Sequence, residues 1–350
     1  MAFLGFPIAI IIGGLVYNWI GPKILLWLAF ASHILGLVLT IMASGFWGLL
    51  ISTFFIGFAN GSVEAAANPL IADIYHKNKT VMLNKFHMWF PGGIVIGALI
   101  SAGMTKLNLG WQMQIAIMLI PTLIYGAMIF RQTFPQMKGP ETSTKANISA
   151  LFSPLFVLML FVMTITATTE LGTQQWIQRI LSESGAHPML ILAMITGLMT
   201  VGRYFAGPIV RALNPVGVLL ASSVVSAIGI YLMSSASGSM IYVAAIIFAI
   251  GVTYFWPTMI GFVGEYLPKT GAIGMSLIGG VGMFGVSLWN PVIGGWLDGA
   301  KAKALEAGLS GPAAELAAGQ ATLSNLALFP IGLFFIFLVL FIFRKKFEAS

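Results

Sequence analysis

Two acidic side chains stand inside long apolar stretches, and both are flanked by amides at helical spacing. Glu64 lies in the run Asn60-Gly61-Ser62-Val63-Glu64-Ala65-Ala66-Ala67-Asn68-Pro69. Asn60, Glu64 and Asn68 are spaced i, i+4, i+8, so on a helix all three project from one face. The surrounding Ala, Gly and Ser permit close approach of another helix. An ionisable group within a membrane helix is costly and marks a functional site by default. Glu64 is therefore a candidate for taking up and releasing protons, or for holding a solute with Asn60 and Asn68. The alternative is a neutral Glu that hydrogen-bonds a neighbouring helix.

The second acid, Glu170, lies in Thr166-Ala167-Thr168-Thr169-Glu170-Leu171-Gly172-Thr173-Gln174-Gln175-Trp176. Thr166, Glu170 and Gln174 again share a face. Carboxylates and amides hydrogen-bond hydroxyls and an indole stacks on a sugar ring, so Glu170, Gln174, Gln175 and Trp176 form a candidate polyol site. The alternative is a helix end whose polar residues simply meet water. Tyr254 and Trp256, in Tyr254-Phe255-Trp256-Pro257, could add an aromatic wall beside a proline kink, or serve only packing or an interfacial belt. His87 reads as a hydrogen-bonded or interfacial histidine. Arg203 and Arg211 read as gate or topology charges on the cytoplasmic side.

The elements that carry these groups are set by composition. Hydrophobic residues make up 58% of the 350, and charged residues only 8%. A water-soluble domain carries about 25% charged residues, so this chain is written for lipid. The net charge of +7 is dispersed in short clusters between apolar stretches, a topology signal rather than a nucleic-acid footprint. Cysteine is absent and the four histidines are scattered, which leaves no disulfide and no metal site to propose. Nor is there a Walker loop, a zinc signature or a nucleophile motif. No enzyme, cofactor or nucleic-acid partner is expected.

A helix needs about 20 apolar residues to cross the bilayer core. Eleven stretches qualify: 2–21, 24–43, 46–74, 85–105, 110–130, 153–181, 187–213, 215–235, 239–266, 270–297 and 323–343. Glu64 falls roughly 27 Å along its helix from Phe46, somewhat past mid-membrane. Alternating the connections puts Lys23, Lys77, Lys79, Lys85, Arg131, Lys138, Lys145, Arg203, Arg211, Lys269, Arg344, Lys345 and Lys346 on one side. Lys106, Arg179, Lys301 and Lys303 fall on the other. The basic side is cytoplasmic, which places the C-terminus inside a cell (inner) membrane. The Ala-rich stretch 300–321 is too polar to span and is expected to lie outside as a surface helix.

The polar connection 131–150 divides the chain into an N-terminal bundle of five spans (1–130) and a C-terminal bundle of six (151–350). Gly14–Lys23 can be laid on Gly207–Val216 at an offset of 193 residues, both leaving the membrane on the cytoplasmic side. This points to two related bundles in parallel topology, a common plan in transporters. Small-residue ridges at Gly93, Gly97 and Ser101, and at Ala272, Ser276 and Gly280, would let backbones approach and slide.

The segment Gly14-x-x-x-Asn18-Trp19-x-Gly21-x-Lys23 resembles the Gly-x-x-x-Asp-Arg-x-Gly-x-Lys/Arg loop of the major facilitator superfamily. Asn18 stands where the acid is usual and Trp19 where the arginine is usual. Glu64-x-x-x-Asn68-Pro69, followed by Leu83-Asn84 and Phe90-Pro91-Gly92-Gly93, is similar to the fucose/galactose/glucose:proton symporter branch. The resemblance implies a twelve-helix fold whose first helix is missing here, a gating role for the loop of Asn18 and Lys23, and proton coupling at Glu64. It also implies that the two small-residue ridges belong to helices that rock during alternating access. The expected activity is proton-coupled uptake of a sugar or similar solute by a monomer. A proton-antiport exporter of amphipathic compounds, or a non-transporting or incomplete membrane protein, are the alternatives.

Overall fold

The computed structural model describes residues 2–135 and 144–348. Lys138 and much of the expected 131–150 connection lie outside the described residues. Among those described, the chain is helical, with no strand. Its elements are α1 (Ala2–Met42), α2 (Phe46–Ile74), α3 (Lys79–His87), α4 (Trp89–Lys106), α5 (Trp111–Ala116), α6 (Leu119–Arg131), α7 (Thr144–Ala150), α8 (Pro154–Ala167) and α9 (Thr173–Ile180). There follow α10 (Pro188–Tyr204), α11 (Ala206–Ser235), α12 (Met240–Val252), α13 (Phe255–Tyr266), α14 (Gly271–Glu306), α15 (Gly311–Ile342) and α16 (Lys345–Glu348). A π-turn, Thr168–Gly172, joins α8 to α9.

Nine of the described helical segments are long and apolar enough to cross a membrane. Two of the long helices are broken by the same device. Within α1, Gly21 leaves the helical region (φ 75°, ψ 167°), and within α11 Asn214 does the same (φ 54°, ψ 169°). Each is followed by a proline, Pro22 or Pro215, whose fixed φ suits the first position of a new helix. Positive φ costs glycine little. Asn214 compensates by capping: its Oδ1 accepts the Gly217 N–H at 3.0 Å. The two breaks stand 193 residues apart, the offset at which the chain was laid on itself.

The chain divides into two compact units. The first comprises Met1–Lys79, Ile96–Leu160 and Val263–Phe284; the second comprises Thr80–Val95, Phe161–Phe262 and Gly285–Ser350. In the first, α1 and α2 touch backbone to backbone: a Cβ on Gly57 would overlap Ala2, and one on Gly61 would overlap Phe6. Ser276 and Gly280 of α14 lie against α1 at Gly14 and at Ile10 and Ile11, so this ridge is a close-packing face. Gly93 and Gly97 on α4 have no neighbour where a Cβ would stand. In the second unit, Gly229 of α11 packs on the Phe248 backbone and Gly251 of α12 on Ser226.

One sequence expectation is corrected by the helix boundaries. Residues 300–321 do not form a separate surface helix. They complete α14 and begin α15, reversing at 307–310, where Gly308 takes φ 86°. Lys301 and Glu315 pair across the turn, which explains why charged residues sit at the ends of otherwise apolar helices.

Candidate functional site

In the first unit the polar groups converge on α2. Asn60, Glu64 and Asn68 do lie on one face, and Asn68 Nδ2 donates to Glu64 Oε2 at 3.2 Å. Asn68 is fully buried and Glu64 half-buried. The Asn68 carbonyl oxygen is buried without a hydrogen-bond partner, an unfilled acceptor next to an acid.

One turn earlier, Asn60 Oδ1 meets His33 Nε2 at 3.0 Å, and His33 Nδ1 meets the Tyr125 hydroxyl at 2.8 Å. A carbonyl oxygen can only accept, so His33 Nε2 is the donor to Asn60. Three helices, α1, α2 and α6, thus contribute to a polar chain that begins one turn from the carboxylate. His33 and Tyr125 were missed in the sequence, where His33 counted only as a scattered histidine. The available signal was a histidine within an apolar span, which is itself a functional flag.

Further along this unit, Lys23 donates to the Gln132 carbonyl at 3.2 Å and lies over the Phe134 ring at 5.8 Å. Asn18 is half-buried, and Trp19 is 73% exposed.

The second unit holds Glu170 on the π-turn. A π-turn widens the helix by one residue and commonly marks a functional position. Glu170 is 1% exposed and forms an ion pair with Arg203, also 1% exposed, at 2.7 Å. Its other oxygen accepts the Trp256 backbone N–H at 3.3 Å. Arg203 is fully engaged: Nε donates to the Thr253 carbonyl at 2.7 Å and Nη1 to the His87 carbonyl at 3.1 Å. Arg203 is thus a buried, paired charge near the C-terminal end of α10. Arg211 is exposed.

The other candidates are placed as follows. Gln174 is buried and points at Met199 Sδ (3.4 Å), one turn before Arg203 on α10. Gln175 and Trp176 meet at Asn290: Trp176 Nε1 donates to Asn290 Oδ1 at 3.2 Å, and Asn290 Nδ2 donates to Gln175 Oε1 at 2.6 Å. Tyr254 sits in a buried cluster with Val81, Ala206, Val210 and Val218, and its hydroxyl donates to the Gly202 carbonyl at 3.2 Å. Trp256 is buried beside it in the chain. Thr166 does not join the site, because its hydroxyl bonds back to its own helix at Val162. Among the described residues, no group of three His, Asp or Glu side chains could hold a metal ion.

A helical chain of this kind, with a buried charge pair and broken apolar helices, has the features of a membrane transporter, and sequence and fold agree on which kind. Residues 1–290 match the Major Facilitator Superfamily model, and the chain belongs to that family. Its long apolar helices are those of a multi-pass membrane protein. Over 143 residues it is 27% identical to myo-inositol transporter 1 of Saccharomyces cerevisiae, a match spanning 39% of this chain and about a quarter (24%) of that relative. The fold is similar to that of a fucose:proton symporter from E. coli (TM-score 0.71, 16% identity, 95% of this chain and 88% of that one). It is also similar to that of the proton:xylose symporter XylE (TM-score 0.68, 14% identity, 94% and 83%).

Proposed function

We propose that this protein is a secondary active transporter that takes up a sugar or similar small polar solute together with protons, by alternating access. The observation that carries this reading is the α2 face. An acid, two amides and a histidine–tyrosine chain are gathered within apolar helices, where only a solute or a proton justifies their cost. Glu64 is the proton-coupling group. Asn60 and Asn68, with the unfilled Asn68 acceptor, hold solute hydroxyls. Within the second unit, Gln174, Gln175 and Trp176 are candidate polyol contacts in their own right, with Tyr254 and Trp256 as an aromatic wall. The sugar-symporter folds and the inositol-transporter similarity favour this solute class.

Eleven crossings follow from dividing α1 at Gly21 and taking α10 together with α11 up to Asn214. In this reading the crossings form N-terminal (1–130) and C-terminal (151–350) bundles joined by a cytoplasmic connection. The protein acts as a monomer in a cell (inner) membrane with its C-terminus in the cytoplasm. The gating charges are Lys23 with Asn18, and Arg203 with Arg211.

The test is uptake of radiolabelled fucose, xylose and myo-inositol into proteoliposomes, with and without an inward proton gradient. Gradient-driven uptake of at least one is expected. Glu64→Gln should abolish it while leaving solute exchange at equal concentrations intact. Uptake that ignores the gradient, or is unchanged by Glu64→Gln, refutes the coupling.

A further inference from the structure

Proline lacks an N–H, so the carbonyl four residues before it loses its helical partner. Pro91 strips this bond from His87, and Pro257 strips it from Thr253. At both places the helix is interrupted: α3 ends at His87 and α4 begins at Trp89; α12 ends at Val252 and α13 begins at Phe255. These two carbonyls are the ones that Arg203 caps, through Nη1 and Nε, while Nη2 holds Glu170. Glu170 in turn accepts the amide of Trp256, immediately before Pro257. One guanidinium therefore closes two proline breaks on different helices, and one carboxylate neutralises it.

The other charged and titratable groups facing the pair are few. His87 adds its own field at Glu170, and the Tyr254 hydroxyl binds the carbonyl next to Arg203. A buried orphan carbonyl is costly to leave unpaired, and a buried arginine without its counter-charge more so. Neither bend can change while all these bonds hold.

We propose that Arg203 and Glu170 form a latch that fixes the bends at Pro91 and Pro257, and that its release accompanies the switch in access of this transporter. Both are positioning residues. The inference depends on family membership, not on the identity of the solute or on Glu64. It differs from an ordinary ion pair in one respect: the arginine's worth depends on the two prolines.

That dependence is the test. In detergent-purified full-length protein, Arg203→Gln should lower the thermal midpoint by about 10 °C. In a Pro91→Ala/Pro257→Ala background, where both carbonyls regain helical N–H partners, the same change should cost several degrees less, the remaining loss being that of Glu170 left without its counter-charge. If Arg203→Gln alone does not fold, recovery of folded protein in that background supports the latch, and failure to recover overturns it. Additive losses overturn it as well. The charge swap Glu170→Arg/Arg203→Glu should not rescue, because a glutamate cannot cap carbonyls; full rescue would reduce the latch to a simple ion pair. Since the chain has no cysteine, a Met88→Cys probe at the α3–α4 break reports opening directly. Its maleimide labelling should rise roughly tenfold or more when Glu170→Gln is added. Unchanged labelling overturns the role in opening.

Discussion

The two membrane carboxylates sit in opposite circumstances. Glu64 is half-buried, on a continuous stretch of helix, next to an amide whose carbonyl is left unfilled. Glu170 is shut away on a π-turn, with both oxygens engaged by Arg203 and a backbone amide. A group with room and an adjacent vacant acceptor can exchange partners with a solute or a proton. A group whose every oxygen is claimed can only hold or let go. Burial, rather than residue type, separates the two acids.

The contrast can be broken first at Arg203. Arg203→Met leaves Glu170 buried with no counter-charge, and stability should fall by about 3–5 kcal/mol, read by thermal unfolding. The matching change at the other acid, Glu64→Gln, should move stability by no more than about 0.5 kcal/mol while gradient-driven uptake is lost. If Arg203→Met and Glu64→Gln prove equally costly to stability, the distinction fails. Smaller effects sharpen it. His33→Ala removes two hydrogen bonds from the α1–α2–α6 chain and should cost about 1–3 kcal/mol. Tyr125→Phe, which removes one, should cost about 1 kcal/mol, and both should weaken solute affinity in binding titrations. Smallest of all, Asn214→Ala should cost about 1 kcal/mol through the lost cap, and Asn214→Gly only a few tenths.

Much of this architecture could be read from the chain. The break at Gly21 was expected between two apolar stretches, and the Asn60–Glu64–Asn68 face followed from spacing alone, because both are local. The latch could not be read, because its partners are distant and partly anonymous. Glu170 and Arg203 lie 33 residues apart, Arg203 and the His87 carbonyl 116. Backbone carbonyls have no sequence signature until the proline four residues on is recognised as having stripped them of a partner. The π-turn was also invisible, since Thr-Thr-Glu-Leu-Gly carries no mark of a widened helix. The charges in 300–321 misled for another reason: Lys301 and Glu315 settle each other across a turn, so polarity there signals pairing rather than a separate surface helix.

The length of α14 has a practical consequence. Thirty-six residues reach roughly 54 Å, far beyond the ~30 Å of hydrocarbon, and α15 matches it on the return. The excess forms a helical hairpin whose tip is residues 307–310. It is a natural stalk for an epitope tag or an antibody fragment. Bound there, either would add mass and a fiducial for particle alignment, and would report from intact cells or inverted vesicles which compartment the hairpin faces.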